Sequence, residues 1–321
     1  MEQRRVGNSE ISVSAIGLGC VTFGREIDQE TSFQIMDYAL EQGINFFDTA
    51  EGYASGEMPS ETVIGNWMRS RGTRNEVVLC TKVSIDGTSE GIAKAAQQSL
   101  ERLGTDYVEI YKAHNSFPAV SREELLGALN ELVVSGVTQV IGGSNFSTDQ
   151  LQEALAISDQ NGWARFQILQ PPYSMARSEH PGHIDRPEAH ERLFPLCVDE
   201  GVAITPYSPL GAGFLTGKYT ADRSKFPKGT RFDVMPGHAD IYFNTTNFEM
   251  VEKLRAKSEE TGTPIVKLAM GWAMENSMVT SVLAGARRPA HLDNAIEAFE
   301  MELSPELYKE MSSWGAGSVK E

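Results

Sequence analysis

The chain is poor in several features that would assign a protein to a class at once. Its 321 residues include three cysteines, Cys20, Cys80 and Cys197, an odd number without the spacing of a zinc site. We therefore expect reduced thiols, with neither a disulfide framework nor a bound metal. No run approaches the ~18 apolar residues of a membrane-spanning helix. The charged first residues lead into no apolar signal segment. These absences predict a cytoplasmic protein without a membrane partner.

Positive charge is also scarce. The chain has 28 lysine and arginine residues against 44 aspartate and glutamate residues, a net charge of −16. No block of basic residues stands out, which argues against nucleic acid as a partner. The hydrophobic fraction of 40% is ample for a packed core. No linker or low-complexity run divides the chain, so we expect one domain over residues 1–321.

A unit of one strand and one helix recurs along the chain. Glycines such as Gly43 and Gly104 end predicted helices as left-handed C-caps, and Ser121, Ser147 and Ser304 are placed to begin others. The predicted strands are 14–18, 44–47, 76–81, 107–111, 139–141, 165–169, 202–205 and 279–283. Eight such units favour an α/β fold of the (β/α)₈ or TIM-barrel type over an open doubly wound sheet, which usually has about six strands.

Two segments lie outside this repeat. Residues 4–6 and 11–13 flank a turn and predict a β-hairpin that closes the bottom of the barrel. Residues 211–247 form a long insertion after the seventh predicted strand. The aromatic side chains of this insertion are Phe214, Phe226, Phe232, Tyr242 and Phe243. Long loops in compact domains tend to be functional, and we expect this one to be a lid.

Proton-handling side chains follow three consecutive predicted strands. Asp48 and Tyr53 follow the second strand, Lys82 the third and His114 the fourth. Because the carboxyl ends of barrel strands face the active site, we expect these residues to meet at one mouth. An ammonium beside Tyr53 is expected to lower its pKa from about 10 and make it a usable proton donor. Each of these residues, taken alone, could have a purely structural role, such as a loop cap for Asp48. Together they indicate an active site.

The segment from Phe46 to Tyr53, which reads FFDTAEGY, closely resembles the aldo-keto reductases. Proteins of this family are (β/α)₈ barrels that reduce carbonyl groups with NADPH. Further similar segments are 141–146, Gln170, 207–211, 215–219 and 283–289. Their order spans nearly the whole chain, which is more specific than any one motif.

The resemblance implies catalytic roles for four residues. Tyr53 would be the general acid, Lys82 and Asp48 would tune it, and His114 would orient the carbonyl of the substrate. This assignment agrees with the chemistry, because a hydride added to carbon leaves a negative oxygen that needs a proton and prepositioned donors. The resemblance therefore implies an oxidoreductase that converts an aldehyde or ketone into an alcohol.

The resemblance also implies a cofactor site. Ser144, Asn145 and Gln170 would bind the nicotinamide carboxamide and Tyr207 would stack on its ring, although a helix cap and a turn are the structural alternatives. Arginines near a helix start suit a 2′-phosphate, which favours NADPH without excluding NADH. The other expected contacts are Gly19, Cys20, Val21, Ser208, Pro209, Leu210, Gly211, Lys218, Gly285, Arg287, Arg288, His291 and Asn294.

The sequence departs from the family at several points, and two other functions stay open. Asn115 follows His114 where an aromatic or basic residue is common, and His291 stands where glutamine or arginine is usual. The branch that the chain resembles includes potassium-channel β-subunits, so an NADPH-binding redox sensor acting through a protein partner is one alternative. A Schiff-base lyase using Lys82 is the other, ranked low because Asp48 would keep the ammonium charged. The natural carbonyl and the oligomeric state are not predicted.

Overall fold

A computed structural model describes residues 1–314. Within this range an antiparallel pair, β1 (Gln3–Arg5) and β2 (Ser12–Ser14), precedes a parallel sheet. The strands of that sheet are β3 (Ile16–Gly19), β4 (Phe46–Asp48), β5 (Val78–Val83), β6 (Val108–Ala113), β7 (Thr138–Ser144), β8 (Phe166–Gln170), β9 (Ala203–Ile204) and β10 (Val282–Gly285).

The parallel sheet closes on itself. Each strand pairs with the next from β3 to β9, and β10 pairs with β3. The seam between β9 and β10 is joined by the amide of Thr280, which donates to the carbonyl of Ile204 at 2.8 Å, and by that of Leu283, which donates to the carbonyl of Pro206 at 2.9 Å. The predicted (β/α)₈ barrel is therefore confirmed.

Helices alternate with the strands and cover the barrel. They are α1 (Gln29–Glu41), α2 (Ser60–Arg71), α3 (Ser89–Leu103), α4 (Arg122–Val134), α5 (Thr148–Asn161), α6 (Arg186–Glu188), α7 (Phe194–Asp199), α8 (Arg231–Val234), α9 (Ala239–Tyr242), α10 (Thr245–Thr261), α11 (Ile265–Met274), α12 (Ala290–Glu300) and α13 (Pro305–Ser313). Ser147 and Gln150 form a reciprocal capping box at α5. In the described part of the chain, no helix has the length and apolarity needed to cross a membrane.

The hairpin occupies the bottom of the barrel, as predicted. Val6, Ile11 and Val13 are buried in one cluster with interior residues of the barrel strands, among them Phe46 and Ile110. Burial of these side chains removes apolar surface from water and seals the end opposite the mouth. Ser14 belongs to this hairpin rather than to the first barrel strand, where the sequence had placed it.

Several strands extend further toward their carboxyl ends than the apolar runs predict. β5 starts at Val78, after a 3₁₀ turn at Arg74–Glu76, and continues to Val83; β6 continues to Ala113. Lys82 and Lys112 are register partners in the two strands. The strands continue because polar side chains find hydrogen-bond and ion-pair partners at the mouth of the barrel. A polar residue therefore does not mark the end of strand pairing.

The insertion after β9 has its own aromatic core. It contains α8, α9 and two 3₁₀ turns, and it ends at Asn244, which caps α10. Phe243 lies at its centre, with ring centroids 5.0 Å from Phe232 and 5.1 Å from Phe214. Edge-to-face packing of this kind stabilises aromatic clusters. The segment is therefore an ordered part of the fold and not a passive connection.

Candidate active site

Side chains from three neighbouring strands meet at the mouth of the barrel. Asp48 ends β4, Lys82 lies in β5, and Lys112 lies beside it in β6. The Lys82 ammonium donates to Asp48 Oδ1 and to the Thr49 carbonyl, both at 2.6 Å. The Lys112 ammonium donates to Asp48 Oδ2 at 3.1 Å. One buried carboxylate thus lies between two fully buried ammonium groups.

Lys112 is a member of this cluster that the sequence reasoning missed. Besides Asp48, its ammonium donates to Gln170 Oε1 at 2.8 Å. The alternation of side chains along a strand could have indicated Lys112, because residues 112 and 114 project to the same side. A lysine two positions before a candidate catalytic histidine was therefore a candidate for the same mouth.

The ion pairs keep both signs of charge in place. Burial alone raises the pKa of Asp48, but Lys82 and Lys112 outweigh it and hold that pKa well below its usual range. Burial alone lowers the pKa of Lys82, but the Asp48 charge outweighs it and raises that pKa above its ordinary value. A lysine kept protonated is a poor nucleophile, which counts against Schiff-base chemistry at this position.

Tyr53 lies beside this cluster, in the loop after β4. The Lys82 ammonium is 5.1 Å from the centre of the Tyr53 ring, and the His114 ring packs edge-on to it at 5.6 Å. Burial raises the pKa of Tyr53, and the Lys82 charge lowers it by less. The net direction is upward, contrary to the lowering expected from the sequence. The reason is that desolvation of the phenolate outweighs the attraction of the ammonium.

His114 is a neutral imidazole in this setting. Burial, followed by repulsion from Lys82, lowers the pKa of His114 to about 3. Its backbone carbonyl accepts a hydrogen bond from Asn145 Nδ2 at 3.0 Å. The ring therefore has one N–H at neutral pH. One of its nitrogens donates a hydrogen bond and the other accepts one.

The residues predicted to contact nicotinamide form one connected group. Ser144 Oγ donates to the Gln170 carbonyl, and the Tyr207 hydroxyl donates to Asn145 Oδ1, both at 2.8 Å. His183, which the sequence reasoning missed, lies 2.9 Å from the Tyr207 hydroxyl through Nε2. It comes from the loop after β8, and no local pattern in the sequence marks it.

The side-chain amide of Gln170 is hydrogen-bonded inside the barrel. Its Oε1 accepts from Lys112, and its Nε2 donates to Asp48 Oδ1 at 3.1 Å. A lysine can only donate and an ionised carboxylate can only accept, so the two neighbours fix which end of the amide faces which. The remaining N–H of Nε2 is the group that Gln170 can offer to a ligand.

The loop after β3 contains the predicted contacts Gly19, Cys20 and Val21. Gly19 ends the strand beside Asp48 and Gly285, and Val21 is partly exposed. Cys20 is buried, its amide donates to the Asp48 carbonyl at 2.9 Å, and its own carbonyl accepts from Ser60 Oγ at 2.8 Å. A cofactor contact of Cys20 stays a prediction. All three cysteines are buried free thiols.

The turn after β9 contains the predicted contacts that follow Tyr207. Ser208 and Gly211 have left-handed backbone conformations, with φ of 59° and 56°, and the Gly211 amide donates to the Ser208 carbonyl at 2.8 Å. Pro209 is buried between them and Leu210 is partly buried. Gly211 is required by this turn, because its backbone lies in the region that side chains disfavour.

A group of basic side chains extends from the end of β10 into the first turn of α12. Arg287, Arg288 and His291 belong to this stretch, and Lys218 approaches it from the insertion. Burial and then the charges of Arg288, Arg287 and Lys218 lower the pKa of His291 to about 4. Within residues 1–314, no carboxylate oxygen lies within 4 Å of the three cationic groups. This cationic cluster therefore carries positive charge that the carboxylates of the described residues leave unneutralised.

The remaining predicted contacts hold the shape of this region. Gly285 is exposed at the end of β10, and Asn294 Nδ2 donates to the Ala290 carbonyl at 3.2 Å within α12. The Arg287 amide donates to His291 Nδ1 at 3.3 Å, and its guanidinium donates to the Gly229 carbonyl of the insertion. The end of the barrel and the insertion are thus joined through Arg287.

The buried charges at the mouth of this parallel barrel are typical of a barrel enzyme. The chain belongs to the aldo/keto reductase family, whose model matches residues 15–315. Proteins of this family generally use NADH or NADPH.

Similar proteins extend over nearly the full chain. A probable voltage-gated potassium channel subunit beta of Arabidopsis thaliana is 29% identical over 94% of this chain and 92% of its own length. An uncharacterized oxidoreductase, YrpG, of Bacillus subtilis is 30% identical over 96% of this chain and 94% of its own. Protein tas of Escherichia coli is 29% identical over 98% of this chain and 97% of its own length. These similarities agree with the resemblance that the motifs had indicated.

Proposed function

We propose that the protein is an NADPH-dependent reductase that converts an aldehyde or ketone into an alcohol, with Tyr53 as the proton donor. The observation that carries this proposal is the buried pair of ammonium groups on Asp48, one of which lies 5.1 Å from the Tyr53 ring. The Lys82 charge stabilises the phenolate that forms when Tyr53 gives up its proton, and burial keeps the hydroxyl protonated until then.

The residues of the mouth would act on the oxygen of the carbonyl. A bound reduced nicotinamide supplies the hydride that adds to the carbonyl carbon. Tyr53 transfers its hydroxyl proton to the oxygen, the Lys82 charge stabilises the phenolate that remains, and solvent returns the proton afterwards. Lys82 stays charged throughout because Asp48 holds it. His114, being neutral, contributes a hydrogen bond and not a charge.

The basic residues fit a phosphorylated cofactor. Arg288 and Lys218 are exposed, and positive charge without a carboxylate partner is the complement of a phosphate group. Tyr207, Ser144, Asn145 and the free N–H of Gln170 would hold the nicotinamide end. Because NADPH differs from NADH by the 2′-phosphate alone, this cluster supports a preference for NADPH.

The insertion at 211–247 is proposed as a lid over the cofactor. It is connected to two sides of the mouth, through Arg231, which bonds Glu26 at 3.0 Å, and through the bond between Arg287 and Gly229. A third connection, from the Glu179 amide to the Ile241 carbonyl at 3.0 Å, joins the segment to the loop after β8. A cover of this kind excludes water from the reacting groups.

We do not propose the sensor role. The name of the Arabidopsis relative describes that protein, and the catalytic residue types at this mouth favour turnover of a small carbonyl. A redox sensor would bind NADPH tightly and oxidise it about once, so the first experiment separates the two functions.

The test is a fluorescence titration of the purified chain with NADPH and with NADH, followed by absorbance assays of turnover on a panel of small aldehydes and ketones. Tight NADPH binding with multiple turnovers is expected. Tight binding with a single slow turnover would move the function to the sensor alternative. Absence of binding to both nucleotides would remove the basis of the proposal.

Replacing Arg288 with alanine is expected to weaken NADPH about tenfold, since one charged hydrogen bond contributes roughly 1.5 kcal/mol. NADH affinity should stay within about twofold, because NADH lacks the phosphate. The measurement is the same titration with both nucleotides. Arg287→Ala is expected to affect both more evenly, because its guanidinium also bonds Gly229 of the insertion.

The matched control for Arg288 is Arg69→Ala, an exposed arginine on the outer face of α2. It removes the same charge from the chain and should leave both affinities unchanged. Equal weakening of NADPH and NADH by Arg288→Ala would show that this arginine does not contact the 2′-phosphate.

A further inference from the structure

Ser84 lies between the loop that carries Tyr53 and the imidazole of His114. It directly follows β5, two residues after Lys82. Its Oγ is 2.7 Å from His114 Nδ1 and accepts from the Gly52 amide at 3.1 Å. Its own amide donates to Glu51 Oε2 at 2.8 Å. The residue is therefore held by both backbone and side chain.

The positions of the protons follow from the capacities of these groups. A hydroxyl has one hydrogen to donate, and a backbone amide can only donate. Within residues 1–314, the partners of Ser84 Oγ are the Gly52 amide and His114 Nδ1. The amide cannot receive the hydroxyl hydrogen, so of these two partners His114 Nδ1 alone can accept it. With Ser84 as the donor, Nδ1 is unprotonated and the single hydrogen of a neutral ring is on Nε2, the tautomer that satisfies the hydroxyl within the described residues.

The charges around the ring support this assignment. Burial disfavours a second proton on the imidazole, and Lys82 and Lys112 repel that proton more than Asp48 attracts it, so the pKa of His114 is lowered to about 3. A doubly protonated ring, in which both nitrogens would donate, is thereby disfavoured at neutral pH. The Nε2 atom is on the side of the ring away from Ser84, and the ring itself is 5.6 Å from Tyr53.

We propose that Ser84 is a positioning residue that fixes His114 in the Nε2–H tautomer, so that the ring presents a hydrogen-bond donor to the carbonyl oxygen that Tyr53 protonates. The consequence for turnover rests on the proposed function, but the tautomer itself does not. The other neutral tautomer, Nδ1–H, would place the Nε2 lone pair opposite the substrate oxygen, which is repulsive as that oxygen becomes negative.

The direct test is nitrogen-15 NMR of the full chain with labelled histidine at neutral pH. The six histidines are resolved by comparison with a His114→Gln sample, which identifies the signals of this ring. The expected spectrum has a protonated Nε2 and an unprotonated Nδ1 for His114. A protonated Nδ1 in the unmodified protein would overturn the proposal, whatever the activity of the enzyme.

Three variants separate the proton role of Ser84 from its packing. Ser84→Thr keeps the hydroxyl and should keep both the tautomer and kcat within about threefold. Ser84→Ala should give a mixture of tautomers and lower kcat about tenfold, the effect of one hydrogen bond. Ser84→Asp offers acceptors alone, so it should move the proton to Nδ1 and lower kcat by about 10²-fold, as does loss of an oxyanion donor.

The outcomes distinguish this inference from the proposed function. If Ser84→Ala gives the mixture of tautomers but the unmodified protein turns over no carbonyl, the inference stands and the reductase proposal fails. If Ser84→Ala keeps the tautomer unchanged, Ser84 does not fix it and the inference fails, even for an active enzyme. Ser84→Thr provides the rescue that a general loss of structure would not show.

Discussion

Tyr53→Phe is expected to lower kcat by about 10²- to 10⁴-fold, the contribution typical of a positioned general acid. The change removes one oxygen and keeps the ring, which packs 5.1 Å from the Lys82 ammonium and 5.6 Å from the His114 ring. NADPH affinity should be unchanged, because the lost proton is needed in the transition state alone. The measurements are steady-state kinetics on the best carbonyl of the panel and fluorescence titration with NADPH.

The control for this variant is Tyr107→Phe. Tyr107 directly precedes β6, at the end of the barrel opposite the mouth, where the Arg74 guanidinium lies 4.2 Å from its ring. The same chemical change there should leave kcat within about twofold. If Tyr53→Phe also retained kcat, another group would have to supply the proton, and the proposed role of Tyr53 would be wrong.

The fold followed from the sequence because its signals are local. Glycine at helix ends, serine at helix starts and short β-branched runs are each determined within a few residues. The predicted strand ends were less accurate than the predicted strands, for a physical reason. Asp48, Lys82 and Lys112 continue their strands into a mouth where ion pairs satisfy them, whereas an apolar run ends at the first charged residue.

The candidate site was predictable in part. Asp48, Lys82 and His114 follow apolar runs, and the barrel brings such positions together. The strand period could have indicated Lys112, but Ser84 has no such mark, because its role depends on partners that are distant in sequence. Lys112 contacts a residue 58 positions away, and Ser84 one 30 positions away. Those pairings are fixed by barrel closure, which a local pattern does not contain.

The direction of the Tyr53 pKa illustrates the same limit in energetic terms. The sequence indicated a lysine near the hydroxyl, and proximity alone predicts a lower pKa. Burial acts in the opposite direction, and its size depends on the whole environment of the ring. In the structure burial is the larger effect, so Tyr53 remains firmly protonated in the free protein. A protonated phenol is the form that a proton donor requires.

Asp48→Asn is expected to destabilise the protein by about 3–5 kcal/mol, the cost of removing one partner from a buried ion pair. Three donors point at this side chain, from Lys82, Lys112 and Gln170. An amide has one acceptor and adds donors of its own, so at least one buried ammonium loses its partner. The measurement is urea unfolding. Asp149→Asn, at an exposed pair with Arg192, is the control and should cost less than about 1 kcal/mol.

The destabilisation caused by Asp48→Asn should decrease as the pH rises. Without the carboxylate, burial depresses the pKa of Lys82 in the folded state, while an unfolded lysine titrates near about 10.4. Between those values the unfolded chain binds more protons than the folded one, so stability increases with pH. The free energy of unfolding of Asp48→Asn should therefore move toward that of the unmodified protein between pH about 7 and pH about 9.

Coupling to Lys112 provides the sharper criterion. In the unmodified protein, Lys112→Met leaves Gln170 Oε1 without its donor and should be destabilising. In the Asp48→Asn background the same change removes an uncompensated buried charge and should be stabilising. A reversal of sign across this double-mutant cycle requires that the two side chains share one electrostatic cluster. Additive losses would show that Lys112 and Asp48 act independently, and the two-lysine arrangement behind Tyr53 would then have no energetic basis.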